Sequence, residues 1–275
     1  MYKIKSIVMY FFYIFKKFFL ILKIYYLKTS FYNYNISKNI PSKYLYLPSP
    51  HIINCLLYFN KKKFKIEKLS LNSIWKIDPK KNIEFENLHN FLWLIALDIK
   101  TSKTSTQNLI ENWIDNNRNF NEQTWALEIL SKRIIAWISN SNLTLNLSNF
   151  SYKKKLILSI AKQTNHLFKN IENEKNYEHK IIGCTSLILV GLVFKEYKKY
   201  FDKGLEILEK TIKINFDSNG FPKSRNPQEL CECLKYFVIV REWIKESQKE
   251  IPEFINKIVY ESGNSFSSIS KKNIK

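Results

Sequence analysis

Trp125, Ile129, Arg133 and Trp137 recur every four residues, with Ile134 and Ile138 beside them. That spacing is one face of a helix. The stretch 113–137 holds three of the chain's six tryptophans, and a core-facing stripe does not usually carry an arginine. A guanidinium among aromatic faces suits cation–π stacking and the binding of an anion or a sugar. It equally suits a buried arginine paired with a carboxylate, and the spacing leaves both readings open. Gln123-Thr124 precede the stripe, and Thr124 reads as its N-cap.

Metal and thiol chemistry are poorly supported. The histidines, His51, His89, His166 and His179, form no His-Glu-x-x-His or His-x3-His pair. Cys231-Glu-Cys233 is tighter than the Cys-x2-Cys of a zinc knuckle. Four cysteines make no disulfide framework, and no cofactor motif is present. The expectation is no metal and no cofactor.

Forty-four Lys and Arg against 24 Asp and Glu leave a net charge of +20. Such a balance points to nucleic acid, anionic lipid or an acidic polymer. Only four of the basic residues are arginines, and the chain is crowded with Lys, Asn, Ile, Tyr and Phe. That bias follows AT-rich coding, so part of the charge is compositional. The basic residues are scattered among carboxylates and no nucleic-acid motif appears, which disfavours nucleic acid as the partner.

The elements that must position these residues are helical. Five glycines and seven prolines in 275 residues are too few for a sandwich or barrel rich in turns. Apolar periodicity predicts helices over 85–97, 105–116, 124–139, 151–172, 179–197, 198–216, 228–248 and 252–259. Of these, 181–194 is nearly all apolar and reads as buried. Short connections make antiparallel hairpins of consecutive helices. The expected fold is all-α, an incomplete (α/α) toroid over 85–260. Residues 1–84 read as an amphipathic helix followed by an irregular lead-in, with breaks at Pro41, Pro48 and Pro50. A solvated charge run covers Lys61-Lys62-Lys63, and 72–79 reads as extended chain with a turn. The Ser-, Asn- and Lys-rich 261–275 reads as a disordered tail.

Residues 1–28 are apolar and aromatic but interrupted by lysines. Lys16-Lys17 would sit in the middle of a membrane span at a cost of a few kcal/mol each. No small-residue cleavage site follows, as a signal peptide requires. The segment reads as a basic amphipathic helix that packs on the domain, with weak membrane-surface contact as the other option.

From about 72 to 259 the chain resembles the helical domain of the heparinase II/III family of polysaccharide lyases, in an alphaproteobacterial branch. The resemblance rests on Trp113-Ile114-Asp115-Asn116-Asn117, then Trp125, Arg133 and Trp137. It also rests on Leu189-Val190-Gly191-Leu192 and on the loop from Asp217-Ser218-Asn219-Gly220 to Ser224-Arg225-Asn226-Pro227. It implies β-elimination beside a uronic acid, in which one group neutralises the carboxylate and a Tyr or His moves the C5 proton. Carried onto this sequence, it makes His179, Arg225 and Asn226 the candidate catalytic residues. Trp125, Arg133 and Trp137 become the candidate substrate-binding residues. His179 is a base if its pKa is near neutral, or else a helix-capping residue; Arg225 alternatively caps its own loop.

The sequence departs from the family pattern at two places. Glu178-His179 stands where the family has Asn-His, so a carboxylate replaces the neutralising amide. Glu229 stands where a tyrosine is expected two residues after the loop's proline. The expected partner is an acidic polysaccharide, with a separate chain as a source of the family's β-sandwich half. A truncated lyase is one expectation, a non-catalytic acidic-glycan-binding domain a second, and a basic membrane-surface or nucleic-acid-binding protein a third. The resemblance points to the periplasm, while the residues leave periplasm and cytoplasm open.

Overall fold

The computed structural model describes residues 2–57, 75, 82–97, 103–145 and 149–272. The charge run at 61–63 and most of 72–79 lie outside these. Among the described residues twelve α-helices follow in order: α1 Tyr2–Leu27, α2 Ser30–Ile36, α3 Pro50–Leu57, α4 Asn82–His89, α5 Lys103–Asn116, α6 Leu127–Ser139, α7 Ser141–Thr144, α8 Phe150–Asn170, α9 Tyr177–Val193, α10 Lys198–Asn215, α11 Pro227–Glu246 and α12 Glu253–Lys272. Among the described residues there is no strand, only isolated bridges between Tyr44 and Phe194 and between Phe216 and Pro222. The chain is all-α.

The centre is α9, whose residues from Ile181 to Val193 are all buried. Apolar on every face, it can only be stable inside a ring of other helices. It packs against α6, α10 and α11. Gly191 permits the closest of these approaches, since a Cβ there would lie 2.5 Å from the backbone nitrogen of Phe201 on α10. Helices α6 and α8 form the neighbouring layer, with Ile134, Ile138, Leu156 and Ile160 in a continuous core.

The lead-in is part of this core rather than an irregular preface. Tyr32 and Ile36 of α2 are buried against α8, where Asn165 Nδ2 donates to the carbonyls of Ile36 and Lys38 at 2.8 and 3.0 Å. Pro50 does not break structure; it opens α3, as a residue without an N–H can at a first turn. Ile53 of α3 is buried in the same core. The helix expected over 85–97 is interrupted at Phe91, whose φ is 59°, and resumes as a 3₁₀ turn Leu92–Ala96.

The tail expected to be disordered is helix as far as Lys272. Composition concealed a periodic face: Ile255, Ile258, Val259 and Ser262 are buried. Ser262 Oγ donates to the Gly220 carbonyl at 2.7 Å, and Ser265 Oγ to that of Asn219 at 2.7 Å. Gly220, with φ 68°, brings its backbone against α12 where a side chain would collide. The α10–α11 loop is thus held by the helix that the serines belong to.

Helix α1 does not pack on the domain along its length. Every residue from Met9 to Lys23 is exposed. Its seat is at the C-terminal end, where Leu27 is buried and Tyr26 meets Tyr32 at 5.2 Å between ring centroids.

Candidate functional site

The Trp–Arg stripe forms, but it faces inward. Helix α6 starts at Leu127 behind Ala126, which makes no side-chain cap, so Thr124 is not the N-cap. Trp125 belongs instead to a turn organised by Asn121, whose Oδ1 accepts from the amides of Gln123 and Thr124 at 2.9 and 3.1 Å. Trp125 and Trp137 are buried, and Arg133 is 0% exposed. Its guanidinium donates to Gln163 Oε1 at 2.7 Å, to the His89 carbonyl at 2.7 Å and to the Thr124 carbonyl at 2.9 Å. It lies 4.1 Å from the Trp113 ring centroid and 5.9 Å from that of Trp137. Burial pulls its pKa well down, but a guanidinium stays charged. This is a buried cation held by neutral acceptors and ring faces, with no carboxylate partner among the described residues. The expected substrate-binding role of Trp125, Arg133 and Trp137 gives way to a structural one. None of the three presents a face on which a sugar could stack.

His89 and His166 belong to the same interior. Trp113 Nε1 donates to His89 Nδ1 at 2.9 Å, and Tyr32 Oη lies 2.7 Å from His166 Nδ1. Burial, reinforced by Arg133, lowers His89 to about 4; burial, reinforced by Lys23 and Lys169, lowers His166 to about 3.

Polar chemistry gathers at the start of α9. Asn176 caps it, its Oδ1 accepting from the amides of Glu178 and His179 at 2.8 and 3.2 Å. His179 is therefore not the cap, and its ring is free to point outward. His179 Nε2 sits 2.8 Å from Glu128 Oε2 of α6, and Lys132 one turn on binds the same carboxylate. The Glu128 bond raises the His179 pKa against the opposing effect of burial. Burial would raise Glu128, but His179 and Lys132 outweigh it and hold the carboxyl at about 2. The Glu128 carboxylate favours the protonated form of His179, and the two make an ion pair when the imidazole holds its proton.

The α10–α11 loop meets the same helix start. Tyr177 Oη donates to Glu229 Oε2, and so does Ser224 Oγ. Asn226 Nδ2 donates to Glu229 Oε1 at 3.2 Å, while its Oδ1 accepts from the Gln228 amide at 2.9 Å and caps α11. The Ser224 and Tyr177 hydroxyls hold Glu229 below the usual carboxylate range. Burial and the Glu229 charge push Tyr177 up. Glu178 is raised by burial and then by Glu229, with His179 opposing. Arg225 takes no part. With φ 62° it turns outward and binds Asp217 Oδ2 at 2.6 Å within its own loop.

Of the candidate catalytic residues, His179 pairs with Glu128 of α6, Asn226 joins the Tyr177–Glu229 cluster, and Arg225 stays with its own loop. Sequence reading missed Tyr177, Ser224, Glu128 and Lys132. The i,i+4 spacing of Glu128 and Lys132 was a visible signal. So was Tyr177, directly before Glu178-His179.

No protein-family profile matches the chain, and neither does any curated protein. A solved structure does. The crystal structure of heparinase III aligns over 82% of this chain and 40% of its own, with 16% sequence identity and a TM-score of 0.56. At that identity the likeness is one of fold. This chain has the helical, toroid-like architecture of the matched part of heparinase III, and it spans less than half of that protein's length.

Proposed function

We propose that the chain is the helical part of a polysaccharide lyase-like protein, and that its ligand-facing chemistry lies where the start of α9 meets the α10–α11 loop. The observation that carries this reading is the Tyr177–Glu229 hydrogen bond. It brings the Tyr177 phenol to Glu229, the position in the first turn of α11 at which the resembled family carries a tyrosine.

In β-elimination a base takes the C5 proton of a uronate, the C4–O bond breaks, a C4–C5 double bond forms, and the leaving oxygen gains a proton. Tyr177 is the proton carrier in this reading: as phenolate it takes the C5 proton, and the phenol so formed gives that proton to the departing C4 oxygen, which regenerates the phenolate, while Glu229 holds the ring in place. His179, whose protonated form Glu128 favours, supplies positive charge toward the developing enolate. That role suits a raised pKa better than the role of base expected from sequence. Asn226 orients Glu229.

A second reading, binding without turnover, is favoured by Glu178 and Glu229. Two carboxylates at the site oppose a bound uronate, and a phenol pushed up in pKa is a reluctant base. An elimination assay on heparan sulfate, heparin, chondroitin and alginate separates the two, read by the near-ultraviolet absorbance of the new double bond. The first reading expects activity that Tyr177→Phe abolishes while thermal stability holds. Activity that survives Tyr177→Phe removes the proposed proton carrier. Binding with no product leaves the second reading, and neither binding nor product overturns both.

A further inference from the structure

Helix α1 has a face that the fold leaves uncovered. At about 100° per residue, Phe11, Phe12, Phe15, Phe18, Phe19 and Leu22 fall on one half of the helix, and Lys16, Lys17 and Lys23 on the other. Phe11 is 68% exposed, Phe15 62% and Phe18 54%. Contiguous apolar surface of this kind is rare on a soluble protein and marks a site of contact.

Three observations decide what covers it. The first is charge. Twelve lysines and no Asp or Glu precede Glu67, so this end of the chain is purely cationic. The second is geometry. Contact with the fold is confined to the last turns, at Ile24, Tyr26 and Leu27, so the exposed residues from Met9 to Lys23 stand clear of the body of the protein. The third is length and polarity: among the described residues no helix is long and apolar enough to cross a membrane. An aromatic face with flanking lysines, too polar to span, is suited to the boundary between lipid headgroups and acyl chains. Rings such as Tyr10, Tyr13 and Tyr25, apolar with a polar tip, are favoured at that depth.

We propose that α1 is an interfacial anchor. It lies along the surface of an anionic lipid bilayer, aromatic half inward, with its lysines at the headgroups and the helical domain above. Apolar burial supplies affinity, and the lysines supply preference for anionic lipid, which salt screens.

The test is co-sedimentation of the full chain with vesicles of phosphatidylcholine, with and without about a third phosphatidylglycerol. The anchor requires binding to the anionic vesicles that weakens with salt. Phe15→Ser/Phe18→Ser should lower that binding more than about tenfold, without moving the thermal midpoint, because neither ring is in the core. Lys16→Glu/Lys17→Glu should lower it by more than about tenfold and erase the preference for anionic vesicles. Absence of vesicle binding overturns the proposal. So does equal binding by the wild type and the Phe15→Ser/Phe18→Ser variant. Sedimentation equilibrium without lipid supplies the remaining check: a dimer that Phe15→Ser/Phe18→Ser dissociates would show that a second copy covers the face, and would also overturn it.

Discussion

Replacing Arg133 by Met should destabilise the domain by about 3–6 kcal/mol. The substitution keeps much of the volume between Trp113 and Trp137 and removes the donors. What remains is three buried acceptors, the carbonyls of His89 and Thr124 and the Gln163 amide oxygen, with no replacement partner. A hydrogen bond to a charged group contributes about 1.5–3 kcal/mol, and bonds sharing one donor group do not add fully. The apolar Met offsets part of the loss, because the guanidinium no longer has to be desolvated. Against a total stability of about 5–15 kcal/mol, the loss should lower the thermal midpoint by roughly 10 °C or more. Arg133→Ala should cost more, by the cavity it adds. Arg133→Lys should fall between wild type and Met, since one ammonium cannot reach three acceptors on α4, the turn before α6, and α8. Urea unfolding followed by tryptophan fluorescence reads the effect directly, because Trp113 and Trp137 flank the site. A Met variant within about 1 kcal/mol of wild type would refute the account of Arg133 as a three-way tie. A Lys variant of normal stability that lost glycan binding would return the guanidinium to a ligand-facing role.

The buried histidines make the fold acid-sensitive. His89 and His166, at about 4 and 3 when folded, are neutral in the fold and protonate more readily when unfolded. Their contribution is complete above the unfolded value of about 6.5 and declines as pH falls, by up to about 1.4 kcal/mol per pH unit for each. A urea midpoint that stays flat from pH 6.5 to 5 would contradict this. His179 has the opposite sign: its pKa is raised, so its contribution is present at low pH and lost as pH rises through the folded value. Glu128→Gln should bring the His179 proton titration, followed by NMR, down towards the ordinary histidine range; an unchanged titration would show that Glu128 is not the cause. Gly191→Ala should cost about 1–3 kcal/mol or more, because its Cβ would meet the Phe201 backbone. Gly263→Ala on α12, with nothing within 4 Å, should be neutral or stabilise by up to about 1 kcal/mol, and loss of stability there would argue against a helical α12.

Helix existence was legible wherever apolar residues held a 3.6 period. The all-apolar α9 announced its place at the centre. Function was harder to read because spacing identifies a common face without saying what the face meets. Trp125, Arg133 and Trp137 do share a side, but that side is the core. The serines of α12 illustrate the converse error. Composition suggested disorder, while Ile255, Ile258, Val259 and Ser262 already marked a stripe, and Ser262 finds its partner on the α10–α11 loop. Pro50 read as a break and is a helix start. Tyr177 and Glu229 are 52 positions apart, and no local pattern could pair them. Their meeting depends on how α9 and α11 pack.

The same distinction bears on the net charge. A value of +20 invites a basic cleft for an acidic polymer, yet the site at the start of α9 holds Glu128, Glu178 and Glu229 against Lys132 and His179. The cationic excess lies elsewhere, most densely in the segment before Glu67. Charge on an exposed helix and charge in a half-buried site respond differently to salt, since screening is strong for the first and weak for the second. Vesicle binding through α1 should therefore fall steeply as ionic strength rises. Glycan engagement at Tyr177, His179 and Glu229 should fall less steeply. If glycan binding instead follows the lipid curve and is lost with Lys16→Glu/Lys17→Glu, then the polymer is held by the N-terminal lysines. In that case the start of α9 is not where it binds.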